Sequence, residues 1–131
     1  MRKEGLQNAE IQRLIVGLGH TQSIVVCDVG FPIPEGVPVI DLALADGIPD
    51  FLTVLCAIAR ELVYEKYFYA EEMQRASGKL LDAMKTALGE APAEVVPHEV
   101  FKQMTREARA IIRTGARQPY ANVMLIGGVN F

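Results

Sequence analysis

An imidazole and a carboxylate at the two ends of one short apolar run are the first chemistry this chain offers. His20 follows Leu18-Gly19, Asp28 precedes Val29-Gly30, and Ser23 to Cys27 between them is apolar and rich in β-branched residues, the composition of a buried strand bounded by turn residues. A carboxylate and an imidazole are the smallest set that can run general acid–base chemistry near neutral pH. On residue type alone His20 is a solvated loop histidine. Asp28 suits a bond to the turn backbone at Gly30 as well as it suits a ligand, although the carboxyl end of a strand is where open α/β sheets bind ligands.

Two further groups share this chemistry. His98 and Lys102 stand four residues apart, so on a helix they occupy one face and can reach one ligand; an exposed histidine beside an exposed lysine is the plain alternative. Tyr120-Ala121-Asn122 offers a phenol, a carboxamide and backbone groups, the neutral donors and acceptors that sugar hydroxyls need. A packed Tyr and an Asn bonded to its own turn would look the same. The histidine spacing is far from a zinc pattern, and Gly127-Gly128 lacks the rest of a phosphate loop, so no metal or cofactor is expected.

These groups need positioning elements. Asn8 can cap a helix with Ile11, Leu14, Ile15 and Leu18 on one face and Gly19 at its end, which leaves His20 in the following loop. Phe31-Pro32-Ile33-Pro34 cannot be a central strand and reads as an extended wall beside the site. Val39 to Leu44 reads as a short buried strand in which Asp41 is structural. Asp50 caps a helix with Phe51, Leu55, Ile58 and Leu62 inward. Lys66–Ala70 has strand composition. Glu71-Glu72 after it reads as acids at a helix start and is left out of the site. A helix with Leu81, Met84 and Leu88 inward follows Ser77-Gly78. Glu94–Pro97 is a brief strand delivering His98, Glu99 to Glu107 is helical, and Ala110–Arg113 and Val123–Ile126 are strands. The interleaving of apolar strands with helices predicts an α/β fold: one domain over residues 1–131, a three-layer α/β/α sandwich on a mostly parallel central sheet.

Composition bounds the function. A chain of 131 residues can bury roughly two-thirds of its unfolded surface around one core. The net charge of −3 argues against a nucleic-acid or anionic-membrane surface. Cys27 and Cys56 sit in apolar runs and read as buried thiols of a reducing compartment. With no apolar stretch behind the basic N-terminus and no run of ~18 apolar residues, a cytoplasmic protein is expected.

Five segments in one order carry a resemblance: Gly19-His20-Thr21, Asp28-Val29-Gly30-Phe31-Pro32-Ile33-Pro34, Ile40-Asp41-Leu42-Ala43-Leu44, Ile112-Arg113-Thr114-Gly115 and Pro119-Tyr120-Ala121-Asn122. Over nearly the whole chain these resemble the D-ribose pyranase family. The resemblance implies a cofactor-free isomerase that interconverts pyranose and furanose forms of D-ribose ahead of a kinase. It implies His20 as proton donor, with Asp28, His98, Tyr120, Ala121 and Asn122 on the sugar and Lys102 as a weaker candidate. It also implies ring-shaped homo-oligomers, pentamers or decamers. Where that family usually carries an acid directly after Thr-Gly, this chain has Ala116. The related L-fucose mutarotases rank second, and a non-catalytic sugar-binding module is the rival of another class.

Ring opening needs a proton taken from the anomeric hydroxyl and one given to the ring oxygen, and it also runs unaided in water. A general acid–base pair contributing ~10²–10⁴-fold, about 3–5.5 kcal/mol of barrier, is therefore a sufficient catalyst. A five-residue strand spans about 17 Å, which sets His20 and Asp28 too far apart to touch one pentose. The expectation is a site between subunits, with His20 from one and Asp28, His98, Tyr120 and Asn122 from the next.

Overall fold

The computed structural model describes residues 1–131. Its centre is β1 (Ser23–Cys27), all five of whose residues are buried. β1 runs parallel to β5 (Ala110–Arg113) and antiparallel to β6 (Val123–Gly127). β2 (Val39–Asp41) lies parallel outside β5, while β3 (Tyr64–Ala70) is antiparallel to β6 and β4 (Ala93–Val96) is parallel outside β3. The six-stranded order is β2-β5-β1-β6-β3-β4. Five strands point one way and β6 alone opposes them, so the sheet is mostly parallel as expected.

The period-two alternation of β1 feeds two cores. Ile24 and Val26 join the larger one, with Ile11 of α1 (Ala9–Gly17), Phe51, Leu55 and Ile58 of α2 (Phe51–Ala59), Met73 of α3 (Met73–Ala76) and Leu81, Met84 and Leu88 of α4 (Gly78–Leu88). Val25 and Cys27 face the smaller one, with Phe31, Phe101 of α5 (His98–Met104) and Ala108. Helices thus cover both faces, giving the three layers; each fully buried aliphatic such as Leu55 contributes about 1.5–3 kcal/mol.

The expected caps are present: Asn8 accepts from the Ile11 amide and Asp50 from that of Thr53. Three expectations need correction. Of Val39–Leu44 only Val39–Asp41 is strand, at the sheet edge, with Val39 and Asp41 exposed and Ile40 alone buried, because β2 has a partner on one side alone. Leu62 lies past the end of α2, though it still packs into the larger core. Cys56 is half-buried while Cys27 is buried; both thiols are free, and burial first, then the Asp28 charge, pushes Cys27 up to about 12.

Strand polarity sorts the polar residues. Asp28 and His98 follow the carboxyl ends of β1 and β4, and Asn122 precedes antiparallel β6, so all three stand at one edge of the sheet. His20 precedes β1 and stands at the other. No helix is long and apolar enough to cross a membrane.

Candidate functional site

Asp28 leaves β1 where the chain turns at Val29-Gly30. One carboxylate oxygen, Oδ1, accepts the Gly30 amide at 2.9 Å, so the turn-bonding role open to it in the sequence is real and occupies part of the group. The Asp28 amide donates to Asn122 Oδ1 at 2.9 Å, locking the end of β1 to the entry of β6. Burial pushes the Asp28 carboxyl above its ordinary value, while the Gly30 amide, the Asn122 carboxamide, which faces the carboxyl without reaching hydrogen-bond distance, and nearby His98 pull the other way.

His98 opens α5 directly after Pro97. Its ring stands edge-on to Tyr120, with centroids 4.9 Å apart, and to Phe31 at 6.1 Å. Phe31 in turn meets Phe101 edge-on, so the Phe31 ring walls that side of His98, while Pro32, Ile33 and Pro34 line a separate depression. The His98 amide donates to both oxygens of Glu72, at 3.0 and 3.1 Å. The acidic pair assigned to a helix start thus includes the group that holds α5 in place.

Two polar atoms carry the argument for a ligand. His98 Nδ1 and Asn122 Nδ2 are buried and have no hydrogen-bond partner, and Asn122 is fully buried. Leaving such a group unpaired costs about 1–3 kcal/mol, and an unpaired buried group in a native fold calls for an explanation. Both atoms belong to residues gathered around Asp28, so a molecule rich in hydroxyls is their natural partner.

Backbone strain marks the same places. Only two non-glycine residues adopt positive φ, Tyr120 at 60° and Thr21, next to His20, at 68°. For a β-branched residue such as Thr21 this is a true outlier, and such strain concentrates at functional sites. The Tyr120 loop is fastened by Ser77 Oγ donating to the Pro119 carbonyl at 2.7 Å.

Asp28, His98, Tyr120 and Asn122 therefore converge. Ala121 sits beside them, but its side chain is in the larger core and its amide goes to Gln118. Lys102 pairs with Glu99 at 2.7 Å and lines a depression of about 220 Å³ with Pro32, Ile33 and Pro34, next to the cluster. His20 is exposed at the far end of β1, its Nε2 2.9 Å from Glu65 Oε2. Ala116 is buried, its amide donating to Thr114 Oγ1 and its carbonyl accepting from Val29, so backbone at this position braces the Asp28 turn. Arg113 adds to that brace by donating from Nε to the Val29 carbonyl and pairing with Asp41. Nothing in the sequence spacing pointed to Glu65, Glu72 or Arg113, since each acts across strands distant in the chain.

The family model described as the RbsD / FucU transport protein family matches residues 1–130. The chain is 46% identical over 131 residues to a D-ribose pyranase of Geobacillus thermodenitrificans, covering all of this chain and 99% of that one. It is equally 46% identical to a D-ribose pyranase of Pseudomonas putida, with both chains fully covered. Among solved structures, Bacillus subtilis RbsD complexed with D-ribose superposes with a TM-score of 0.96 at 38% identity, each chain fully covered. A fucose mutarotase from Streptococcus pneumoniae in complex with L-fucose gives 0.83 at 18% identity, covering 99% of this chain and 100% of that one, which is a likeness of fold.

Proposed function

The chain belongs to the RbsD / FucU transport protein family, and from that premise we propose an isomerase that interconverts the pyranose and furanose forms of D-ribose, with His20 as proton donor and Asp28, His98, Tyr120 and Asn122 holding the sugar. The observation that carries the sugar site is the pair of buried, unpartnered atoms, His98 Nδ1 and Asn122 Nδ2, beside the Asp28 carboxylate. Ala121 offers backbone only, and Lys102 borders the site. The names and full-length identity of the D-ribose pyranases support the choice of sugar.

The chemistry balances without a cofactor. Protonated His20 gives its proton to the pyranose ring oxygen as the bond from that oxygen to C1 breaks, the electron pair staying on the oxygen. The anomeric hydroxyl loses its proton to water and becomes the aldehyde. The 4-hydroxyl then attacks C1 and passes its proton to neutral His20, while the aldehyde oxygen regains one from solvent. Asp28, His98 and Asn122 fix the open chain so that the 4-hydroxyl lies near C1, which converts a loose encounter into an oriented one.

His20 reaches this site from a second copy of the chain. A strand the length of β1 separates the two ends by about 17 Å, and the surface around His20 is apolar and uncovered, with Val16 83% and Phe131 100% exposed and Val63 and Val129 beside them. A head-to-tail ring buries that patch at every interface and brings His20 to the next subunit's Asp28. Such rings, pentamers or pairs of them, working in the cytoplasm, complete the reading; the free thiols support a reducing compartment.

Magnetisation exchange between the ribose ring forms, followed by NMR with and without protein, tests the function. Exchange should accelerate with the wild-type protein, and His20→Ala should remove the acceleration while ribose affinity stays within a few-fold, since a proton donor acts mainly in the transition state. Ribose binding with no added exchange would replace the isomerase by a binding module.

A further inference from the structure

Glu65 has no place in the site so far, yet three features of the backbone are arranged around it. β3 pairs Tyr64 with Gly127 and Lys66 with Ile126, so two residues of β3 advance against one of β6 and Glu65 is the extra one. A bulge of this kind re-aims a side chain out of the strand's alternation; here Tyr64 and Tyr67, three apart, both face the larger core, and Glu65 is turned outward to His20. The His20 loop is pinned to the same strand end by Thr21 donating to the Gly127 carbonyl at 2.9 Å and Gly127 donating to that of Gln22 at 2.7 Å. The approach is close enough that a Cβ on Gly127 would lie 2.8 Å from the Gly19 carbonyl oxygen, and one on Gly128 3.2 Å from the Glu65 amide nitrogen.

The result is one contact, Glu65 Oε2 to His20 Nε2 at 2.9 Å. The other carboxylate beside His20, Glu61, is engaged elsewhere, by the Leu6 amide at 2.8 Å and by Gln12 and Arg2. An ionised carboxylate only accepts hydrogen bonds, so the atom facing it must be Nε2–H. The neutral ring then carries its lone pair on Nδ1.

We infer that Glu65 is a positioning residue for His20, fixing its tautomer and ring orientation so that Nδ1 is the nitrogen that exchanges protons with the sugar. The inference rests on the reading of His20 as proton donor and deepens it. Nδ1–H of the protonated ring supplies the proton to the pyranose oxygen, bare Nδ1 takes the proton of the 4-hydroxyl on reclosure, and the Nε2 proton stays on Nε2 throughout, donated to Glu65. The bulge in β3 and the positive φ of Thr21 are the local strains that hold this pair in register.

The test uses the full-length protein with ¹⁵N-labelled histidine, whose two histidines are assigned with His20→Ala. Across the titration of His20 the proton should remain on Nε2 and Nδ1 alone should gain and lose one; a neutral ring protonated on Nδ1 overturns the inference. Glu65→Gln should lower kcat for ring exchange by about 10–100-fold, as loss of a group that orients a histidine does, with KM within about twofold. Glu65 is exposed, so the variant should melt with the wild type, and Glu65→Asp should restore part of kcat. Wild-type kcat in Glu65→Gln overturns the role of Glu65 and leaves that of His20 standing. Full exchange in His20→Ala would instead remove the donor reading, whatever Glu65 does.

Discussion

Asp28 does two jobs at once, and they pull against each other. Its Oδ1 closes the turn onto Gly30 while its charge is held partly away from water beside His98, which raises its pKa from the ordinary 3.8. A carboxyl whose folded value is raised binds its proton more tightly folded than unfolded. Ionisation at neutral pH therefore costs the folded state stability, a cost fully present above the raised value and absent below about 3.8. Asp28→Asn keeps an acceptor for Gly30 and removes the charge, so its melting temperature at pH 7 should rise by roughly 1–3 °C. That gain should shrink as the pH falls towards 4. Ribose affinity should fall about 10–100-fold, since a hydrogen bond to a charged acceptor contributes ~1.5–3 kcal/mol. Calorimetric melting at the two pH values with a ribose titration checks both, and a destabilised variant at pH 7 would show that the pull of Gly30, Asn122 and His98 on the carboxylate outweighs its burial.

At the scale of elements, legibility followed how many neighbours an element has. β1, β5 and β6 are covered on both faces and flanked on both sides, so apolar composition alone marked them within a residue. β2 sits at the sheet edge, and the same composition misled, because Val39 and Asp41 face solvent. Asp28, His98, Tyr120 and Asn122 were legible as chemistry. Their grouping came from the family resemblance alone, since residue spacing does not show that β6 runs against its neighbours. Glu65 and Glu72 were illegible for a related reason: their partners lie 45 and 26 residues away, and a bulge leaves no trace in hydrophobic period. The same limit applies to Gly115, at the end of β5. It donates to the Pro49 carbonyl at 2.9 Å and accepts from Gly47 at 2.8 Å, and a Cβ there would stand 2.7 Å from the Ala45 carbonyl oxygen and closer still to that of Ile48. Backbone cannot step aside as a flexible side chain can. Gly115→Ala should lose roughly 1–3 kcal/mol in urea unfolding, and because Thr114 and Ala116 brace the Asp28 turn it should weaken ribose binding as well. Unchanged stability would mean that the 45–49 turn is free to move.

The proposed function asks His20 and Asp28 to serve one pentose, and a single chain holds them apart. β1 sets Asp28 at one end, where its amide is held by Asn122, and His20 at the other, where Thr21 is tied to Gly127, so no side-chain rotation brings the two to one pentose. Head-to-tail association removes the problem, because every interface then joins one subunit's His20 end to the next subunit's Asp28 end. The arrangement makes a quantitative demand on mixed oligomers. On the proposed site, His20→Ala and Asp28→Ala proteins should each be inactive in ring exchange, since every interface of either would carry one defect. When the two are unfolded together in equal amounts and reassembled at random, an interface is intact only if its Asp28 comes from the first variant and its His20 from the second, which happens at about one interface in four. Ring exchange should therefore recover to about a quarter of the wild-type rate, and should fall towards zero as either variant is made to predominate. Mass measurement on the intact oligomers establishes that mixing has occurred. Mixed oligomers without activity would place both residues in one subunit's site, and so would full activity in a dilute monomer.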